Sequence, residues 1–293
     1  LSAIALGMGI VLPVIGWSEQ RRKSNYASFQ CLQALGYQSL GYTVWILVTL
    51  VVLLFSIITS IAGVINVENL QTEVTRVVFA HTLLMFGLVG VYFALPIIAA
   101  IACALGKDFR YPIMGNRLAH YLGYNVGVEQ VWLIEEHEDR WVTAMGHFSV
   151  IIALWGMLAP LTAGILQGKR SLFLKIQSVQ TLVYQAGVML LLIGAGFIYI
   201  IGLAVLGAVV GFSEQANSAP PIAALVVFFI FMLIAFVIIL IVPLFQSMGQ
   251  WAGYRVLKGD DYRYPLLGNL VEKRLRSTSG FQTPMEHIEE KSK

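Results

Sequence analysis

An all-α integral membrane protein made of two like halves is the fold class this sequence predicts, and three observations carry the prediction. Of the 293 residues, 58% are hydrophobic and only 12% charged, against about 25% charged in an ordinary soluble domain; the mean hydropathy is +0.77. The charges are also segregated. None lies between Lys23 and Glu68, between Arg76 and Lys107, between Lys175 and Glu214, or between Glu214 and Arg255, and each gap holds the roughly 20 residues that one helical crossing of a bilayer needs. Finally, the chain repeats itself. At an offset of 147, Ser2, Ile4, Gly9, Pro13, Gln20, Ser24, Gln30, Gln33, Leu35, Tyr37 and Gln38 recur as Ser149, Ile151, Gly156, Pro160, Gln167, Ser171, Gln177, Gln180, Leu182, Tyr184 and Gln185, which is 11 identities in 37 positions without a gap. Membrane proteins built from internal repeats tend to form their sites between the halves.

The first element is an apolar segment, Leu1 to Trp17, in which Gly7, Gly9 and Pro13 weaken a helix near its middle. The chain opens inside this run without a methionine, so further residues are expected upstream. The run is read as one copy of a repeat rather than as a signal peptide, which would carry a basic region before it and a cleavage site behind it. Spans from Tyr42 to Val64 and from Val77 to Leu105 then pair as a transmembrane hairpin, completing a first repeat over residues 1–122. After a linker, 123–138, the second repeat (139–276) follows the same plan. It has a broken segment from His147 to Leu166 with Gly156, Pro160 and Gly164, then spans from Gly187 to Gly211 and from Ile222 to Pro243. A polar tail, 277–293, ends the chain. Gly207 with Gly211, and Gly249 with Gly253, have the spacing that lets helices approach closely.

The basic residues choose the topology. If all six apolar segments crossed, with the repeats inverted, lysine and arginine would divide 12 to 7 between the two sides; if the broken segments enter and leave on one face, the division is 18 to 1 and only Arg76 lies opposite. The positive-inside rule therefore favours four full spans plus two broken, re-entrant segments in parallel-oriented repeats, with the basic loops and tail in the cytoplasm of a bacterial inner membrane. The opposite loops would be Asn66 to Thr75 and Ser213 to Pro220.

Polar residues within so apolar a chain need a reason. Gln30, Gln33 and Tyr37 sit at i, i+3 and i+7 and share a helix face, with Gln38 beside them; Gln177, Gln180, Tyr184 and Gln185 repeat the stripe. Either the stripe is a polar path, or its amides satisfy backbone groups opened by the breaks at Pro13 and Pro160, the reading favoured here. Phe109-Arg110-Tyr111-Pro112 recurs as Tyr262-Arg263-Tyr264-Pro265 after a six-residue change of offset. Arginine suits phosphate, tyrosine the headgroup layer, and proline ends a helix. Arg110, Tyr111, Pro112, Arg263, Tyr264 and Pro265 are thus expected to anchor helix depth at the interface, or to meet a lipid headgroup or partner protein.

The spans hold no aspartate, glutamate, lysine or arginine, the groups a proton relay or ion-coupled pump normally uses, which argues against active transport. His81 is a weak candidate ligand for a haem or chlorophyll, but an interfacial histidine bonded to backbone or water is the simpler reading. Glu135-Glu136-His137-Glu138-Asp139 reads as a solvated cap ahead of a helix near Trp141 rather than as a cation site. Cys31 and Cys103 lack metal-ligand spacing and are expected to be reduced and structural. Protease, hydrolase, P-loop and dinucleotide-binding signatures are missing from the sequence. No catalytic residue, metal or cofactor is assigned, and no nucleic-acid partner.

Asp139-Arg140-Trp141, Ala144-Met145-Gly146-His147-Phe148-Ser149, a proline-broken segment, Gln167-Gly168-Lys169-Arg170, Gln177, a hairpin, and Tyr262-Arg263-Tyr264-Pro265 together resemble a bacterial membrane domain of unknown function. That domain is related to the twenty-kilodalton inner-envelope component of the chloroplast protein-import translocon (Tic family). The resemblance covers nearly the whole chain, once per repeat, although the family is mostly single-domain and the first copy lacks the Trp-to-His start. It implies Pro13 and Pro160 as the family's break, Gln30 and Gln177 as its polar position and the two Arg-Tyr-Pro segments as its closing motif. For the plant relative it implies preprotein conduction or scaffolding.

The function expected is a non-enzymatic membrane scaffold or accessory subunit, in contact with the lipid bilayer and with protein partners of a larger complex. The alternative is a translocon-like or small-solute conduit between the repeats. A pigment-associated subunit would rest on His81 alone.

Overall fold

The computed structural model of the protein describes residues 9–65, 70–125, 132–216 and 222–279, all of them in helices or the turns joining them. Gly7, the opening residues of the first repeat, parts of both expected far-side loops and most of the polar tail lie outside the described residues. The elements are α1 (Val11–Gln20), α2 (Asn25–Ile65), α3 (Leu70–Ala104), α4 (Met114–Leu122), α5 (Glu135–Phe148), a 3-10 stretch (Ser149–Met157), α6 (Leu158–Gln167), α7 (Leu172–Gln215), α8 (Ile222–Leu257) and α9 (Leu267–Ser279). They fall into two compact units, Leu1–Ser178 and Val179–Lys293.

Among the described residues, four helical stretches are long and apolar enough to cross a membrane: Asn25–Thr59, Val74–Ala104, Leu172–Ser213 and Ile222–Leu257. These are the four full spans expected from sequence. The helices α1 and α6 have 10 residues each, reaching about 15 Å at 1.5 Å per residue, roughly half the hydrocarbon thickness. By the same rise α2, with 41 residues, runs to about 60 Å. Much of it therefore lies beyond the hydrocarbon layer. Its two ends differ accordingly: Phe29, Leu32, Gln33 and Leu35 are completely buried, whereas Val44, Leu47, Leu54, Phe55 and Ile58 turn their side chains outward as lipid-facing residues do.

The buried end of α2 sits in the core of the first unit, with Trp17 of α1 and Met145 of α5. Trp141 donates its indole N–H to the Leu32 carbonyl at 2.9 Å. Only a glycine at position 36 allows that approach, since a Cβ there would lie 2.5 Å from the Trp141 ring. Gln167 ties α6 to α1 through its amide, 2.5 Å from Ser18 Oγ.

The break near Pro160 has a physical cause. Proline has no N–H to offer the carbonyl four residues back, which is that of Gly156, and the Ser149 hydroxyl lies 2.8 Å from this carbonyl, sharing its proton between it and the Gly146 carbonyl at 2.6 Å. The backbone tightens to 3-10 over Ser149–Met157, and Pro160 sits in the first turn of α6.

Two expectations need correction. The acidic run is not a wholly solvated cap: α5 begins at Glu135, six residues before Trp141, and Glu138 and Asp139 are buried inside the first unit. Glu135 and Glu136 stay exposed in the first turn of α5, Glu135 pairing with Arg22 and Glu136 with Arg140. Close helix approach also occurs elsewhere than at Gly207 and Gly211, where no described atom comes within 4 Å of an added Cβ; in the second unit α7 meets α8 at Gly202, where an added Cβ would lie 2.9 Å from Phe231 Cβ.

Candidate functional site

The glutamine stripe reaches its partners only through tertiary folding. Gln33, completely buried on α2, donates its amide to the Phe109 carbonyl at 3.0 Å and accepts the Tyr111 N–H at 2.9 Å. One side chain thus satisfies both backbone groups of the segment that follows α3, as a neighbouring strand would. Gln30 donates to the same carbonyl and to Asp108, both at 3.0 Å. The backbone groups served belong to the Arg-Tyr-Pro segment and not to the Pro13 break. Tyr37 stacks on Tyr111 at 4.4 Å and donates its hydroxyl to the Tyr92 carbonyl at 3.0 Å. Tyr92 in turn donates to Gln38 at 3.1 Å.

The second unit holds a similar arrangement among its own residues. Gln180 donates to the Tyr262 carbonyl at 2.9 Å; Tyr184 stacks on Tyr264 at 3.9 Å and donates to the Phe245 carbonyl at 2.8 Å. Gln185 is buried there. Gly115 and Gly268 close the two clamps. A Cβ at Gly115 would fall 2.7 Å from Gln33 Oε1, and one at Gly268 would fall 2.7 Å from Arg263 Cβ and 3.1 Å from Gln180 Oε1. Burial drives the Tyr111 and Tyr264 phenols upward, so both stay neutral hydrogen-bonding rings.

Arg110 and Arg263 anchor these segments through carboxylates. Arg110 bonds Asp108 at 3.1 Å and Asn116 at 2.9 Å; Arg263 bonds Glu272 at 3.0 Å and pairs with Asp261. Past each proline comes an unusual turn. The Met114 N–H bonds the Pro112 carbonyl and the Leu267 N–H bonds the Pro265 carbonyl, each at 2.7 Å, around Ile113 at φ +66° and Leu266 at φ +64°. With ψ of −52° at Ile113, this is a three-residue γ-turn of the rare, strained hand. The turn pushes both apolar side chains outward, 81% and 86% exposed.

Two clusters escaped the sequence reading. Arg21, its side chain 2% exposed, pairs with Asp139 at 2.8 Å and Glu138 at 3.1 Å, while Trp17 donates its indole N–H to Glu138 at 3.0 Å. Burial raises both carboxyls above their ordinary range, and the guanidinium offsets only part of that rise. His147 is completely buried, its Nε2 3.1 Å from Gln177 Oε1, so Gln177 serves an imidazole where Gln30 serves a backbone carbonyl. Burial lowers the His147 imidazole to about 4. The sole sequence signal for either was the alignment of Arg21 with Gly168 and the presence of a histidine in the resemblance.

His81 lies with Nδ1 3.3 Å from the Ser56 hydroxyl of α2. Among the described residues, no three His, Cys, Asp or Glu side chains gather where they could hold a metal ion. Both cysteines are free, with Cys31 packed against Gly16.

With α1, α2, α3 and the first clamp in place, comparison with known families becomes informative. Residues 1–118 match the MamF/MmsF family model, the magnetosome magnetite crystal formation protein family. The stretch matched to MamF/MmsF carries Gln30, Gln33, Tyr37, Arg110, Tyr111 and Pro112, whereas Gln180, Tyr184, Arg263, Tyr264 and Pro265 lie beyond it. No curated protein and no solved structure matches the chain.

Proposed function

We propose that this protein is a non-enzymatic scaffold or accessory subunit of a larger bacterial membrane complex, working in the magnetite crystal formation for which the MamF/MmsF family is named. The observation that carries the reading is the engagement of the glutamine stripes. Gln33 and Gln180 are buried and bonded to backbone that closes their own units, so these amides serve as fold elements and offer no wet path. That weighs against a conduit. Protein partners and an inner-membrane placement with the basic segments cytoplasmic belong to the same reading, supported by the 18 to 1 division of lysine and arginine.

We also infer that the chain is a tandem duplication related to the chloroplast import component. The support is the pairing of contacts: Gln33 with Phe109 and Gln180 with Tyr262, Tyr37 with Tyr111 and Tyr184 with Tyr264, Gly115 and Gly268, Ile113 and Leu266. Duplication gives a scaffold two similar but non-identical halves: Arg21 stands in the first copy, while Gly168 holds the position in the second.

Extraction from the native membrane in mild detergent, followed by mass spectrometry with subunit stoichiometry, tests this. Other proteins recovered in fixed ratio are expected. Recovery alone, together with solute flux after reconstitution that disappears in Gln33→Leu/Gln180→Leu, would replace the scaffold reading with the conduit.

A further inference from the structure

We propose that the first unit carries a binding site for one anionic phospholipid, with an acyl chain in the groove between α2 and α3 and the headgroup against the basic segment at its mouth. The groove is a cavity of about 390 Å³ whose walls come from α2 (Leu40, Val44, Trp45, Val48) and α3 (Leu88, Val91, Leu95). Its lining is overwhelmingly apolar, the surroundings an acyl chain requires, and both walls belong to candidate membrane spans. The mouth is formed by Tyr111, Pro112, Ile113 and Met114, so the Arg-Tyr-Pro segment closes the end at which an apolar chain would meet a headgroup.

Charge at that mouth selects the lipid class. Between Leu105 and Gly123 the chain carries Lys107, Arg110 and Arg117 against the single Asp108, an excess of two positive charges. Asp108 is already bonded to Arg110 and Gln30. Arg117 is exposed and lies one helical turn beyond the groove residue Met114, on the same side of α4. Basic pockets between spanning helices on the cytoplasmic side are the places where acidic headgroups bind. Ile113 adds an independent pointer. A β-branched residue at positive φ is a costly outlier, and here it holds an apolar side chain out at the rim of the apolar groove. Contact with an acyl chain gives that exposure a favourable outcome. The proposal requires only that α2 and α3 cross a membrane, and it stands whether the protein is a scaffold or a conduit.

The test uses the full chain in nanodiscs of phosphatidylcholine and phosphatidylglycerol in equal amounts, released into native mass spectrometry. Wild type is expected to retain one phosphatidylglycerol in preference to phosphatidylcholine. Val44→Trp, which fills the groove from a lipid-facing position, is expected to lose the retained lipid, and Arg117→Gln to keep a lipid without preference between the two. Retention of the same lipid with the same preference in Val44→Trp would overturn the site. A readout without a groove-filling variant is the fluorescence of Trp45, isolated by difference from Trp45→Phe. Phosphatidylglycerol brominated on its acyl chains should quench it more than brominated phosphatidylcholine at the same fraction, and equal quenching would overturn the headgroup selection.

Discussion

Replacing Gln33 by leucine is the perturbation that interrogates the clamp most directly. The change keeps the side chain's approximate size but removes the donor to the Phe109 carbonyl at 3.0 Å and the acceptor of the Tyr111 N–H at 2.9 Å. The Tyr111 N–H has no water at hand, because Gln33 is completely buried and Tyr111 nearly so. A buried group left unpaired costs about 1–3 kcal/mol. Gln30 still reaches the Phe109 carbonyl at 3.0 Å, so the Tyr111 N–H bears most of the loss, and a buried leucine returns roughly 1.5 kcal/mol or more. With the unpaired N–H near the upper end of that range, a net loss of about 1 kcal/mol follows from these terms, and for a body of this size it lowers the thermal midpoint by about 2–4 °C. The assay is thermal unfolding in detergent followed by tryptophan fluorescence, since Trp17 and Trp141 are buried in the same unit. Gln71→Leu, on an exposed face of α3, serves as the control. A Gln33→Leu midpoint within about 1 °C of wild type would mean that the amide stabilises nothing, and the clamp argument would fail.

Other outcomes follow from the same physics. Arg21→Gln leaves Glu138 and Asp139 buried without their cation and is expected to cost about 3–5 kcal/mol, with much of the loss recovered in Arg21→Gln/Glu138→Gln. Both carboxyls are raised in the folded state, so ionising them opposes folding. Stability of the arginine variant should fall, relative to wild type, as pH climbs through their raised range, and a parallel pair of pH profiles would contradict this. His147 has the opposite sign of dependence. Its imidazole sits at about 4 when folded against an ordinary 6.5, so the contribution is complete above 6.5 and is lost as pH falls toward 4, by roughly 3 kcal/mol at the limit. Comparing denaturation of wild type and His147→Gln across that window isolates it. Gly115→Ala and Gly268→Ala should each lower the melting midpoint, because an added Cβ meets arginine backbone at 3.0 Å in both units. Gly207→Ala, with no described atom within 4 Å, should leave the midpoint unchanged or raise it, with stability gaining up to about 1 kcal/mol through helix propensity.

Much of the architecture is written in local composition. Charge-free runs of spanning length determine four membrane helices, because a bilayer charges several kcal/mol for an unpaired ion or backbone group wherever it lies in the chain. The helix-breaking residues likewise announce a discontinuity around Pro160, and it appears as a 3-10 stretch just before that proline. The glutamine stripe is visible as well, since its members share a helix face by spacing alone. Its partners are not. Gln33 and Tyr111 are 78 residues apart, and no periodicity connects an amide with one particular backbone N–H at that separation.

The acidic run illustrates the same limit from the other side. Glu135, Glu136, Glu138 and Asp139 look alike as a string of solvated charges. Burial then divides them: Glu138 and Asp139 are buried against Arg21, 117 and 118 residues earlier in the chain, whereas Glu135 reaches the same guanidinium from an exposed position. The γ-turns belong to tertiary structure for a related reason. Their sequences, Tyr111-Pro112-Ile113-Met114-Gly115 and Tyr264-Pro265-Leu266-Leu267-Gly268, specify a helix stop through proline. The positive φ of Ile113 and Leu266 is held by the clamps and by the glycines that let each arginine backbone approach. The sequence by itself determined which segments enter the membrane, because transfer free energy adds up residue by residue. Only the tertiary structure decided which polar groups are closed within the protein and which apolar groups face lipid, because those choices depend on neighbours that the chain brings together from far away.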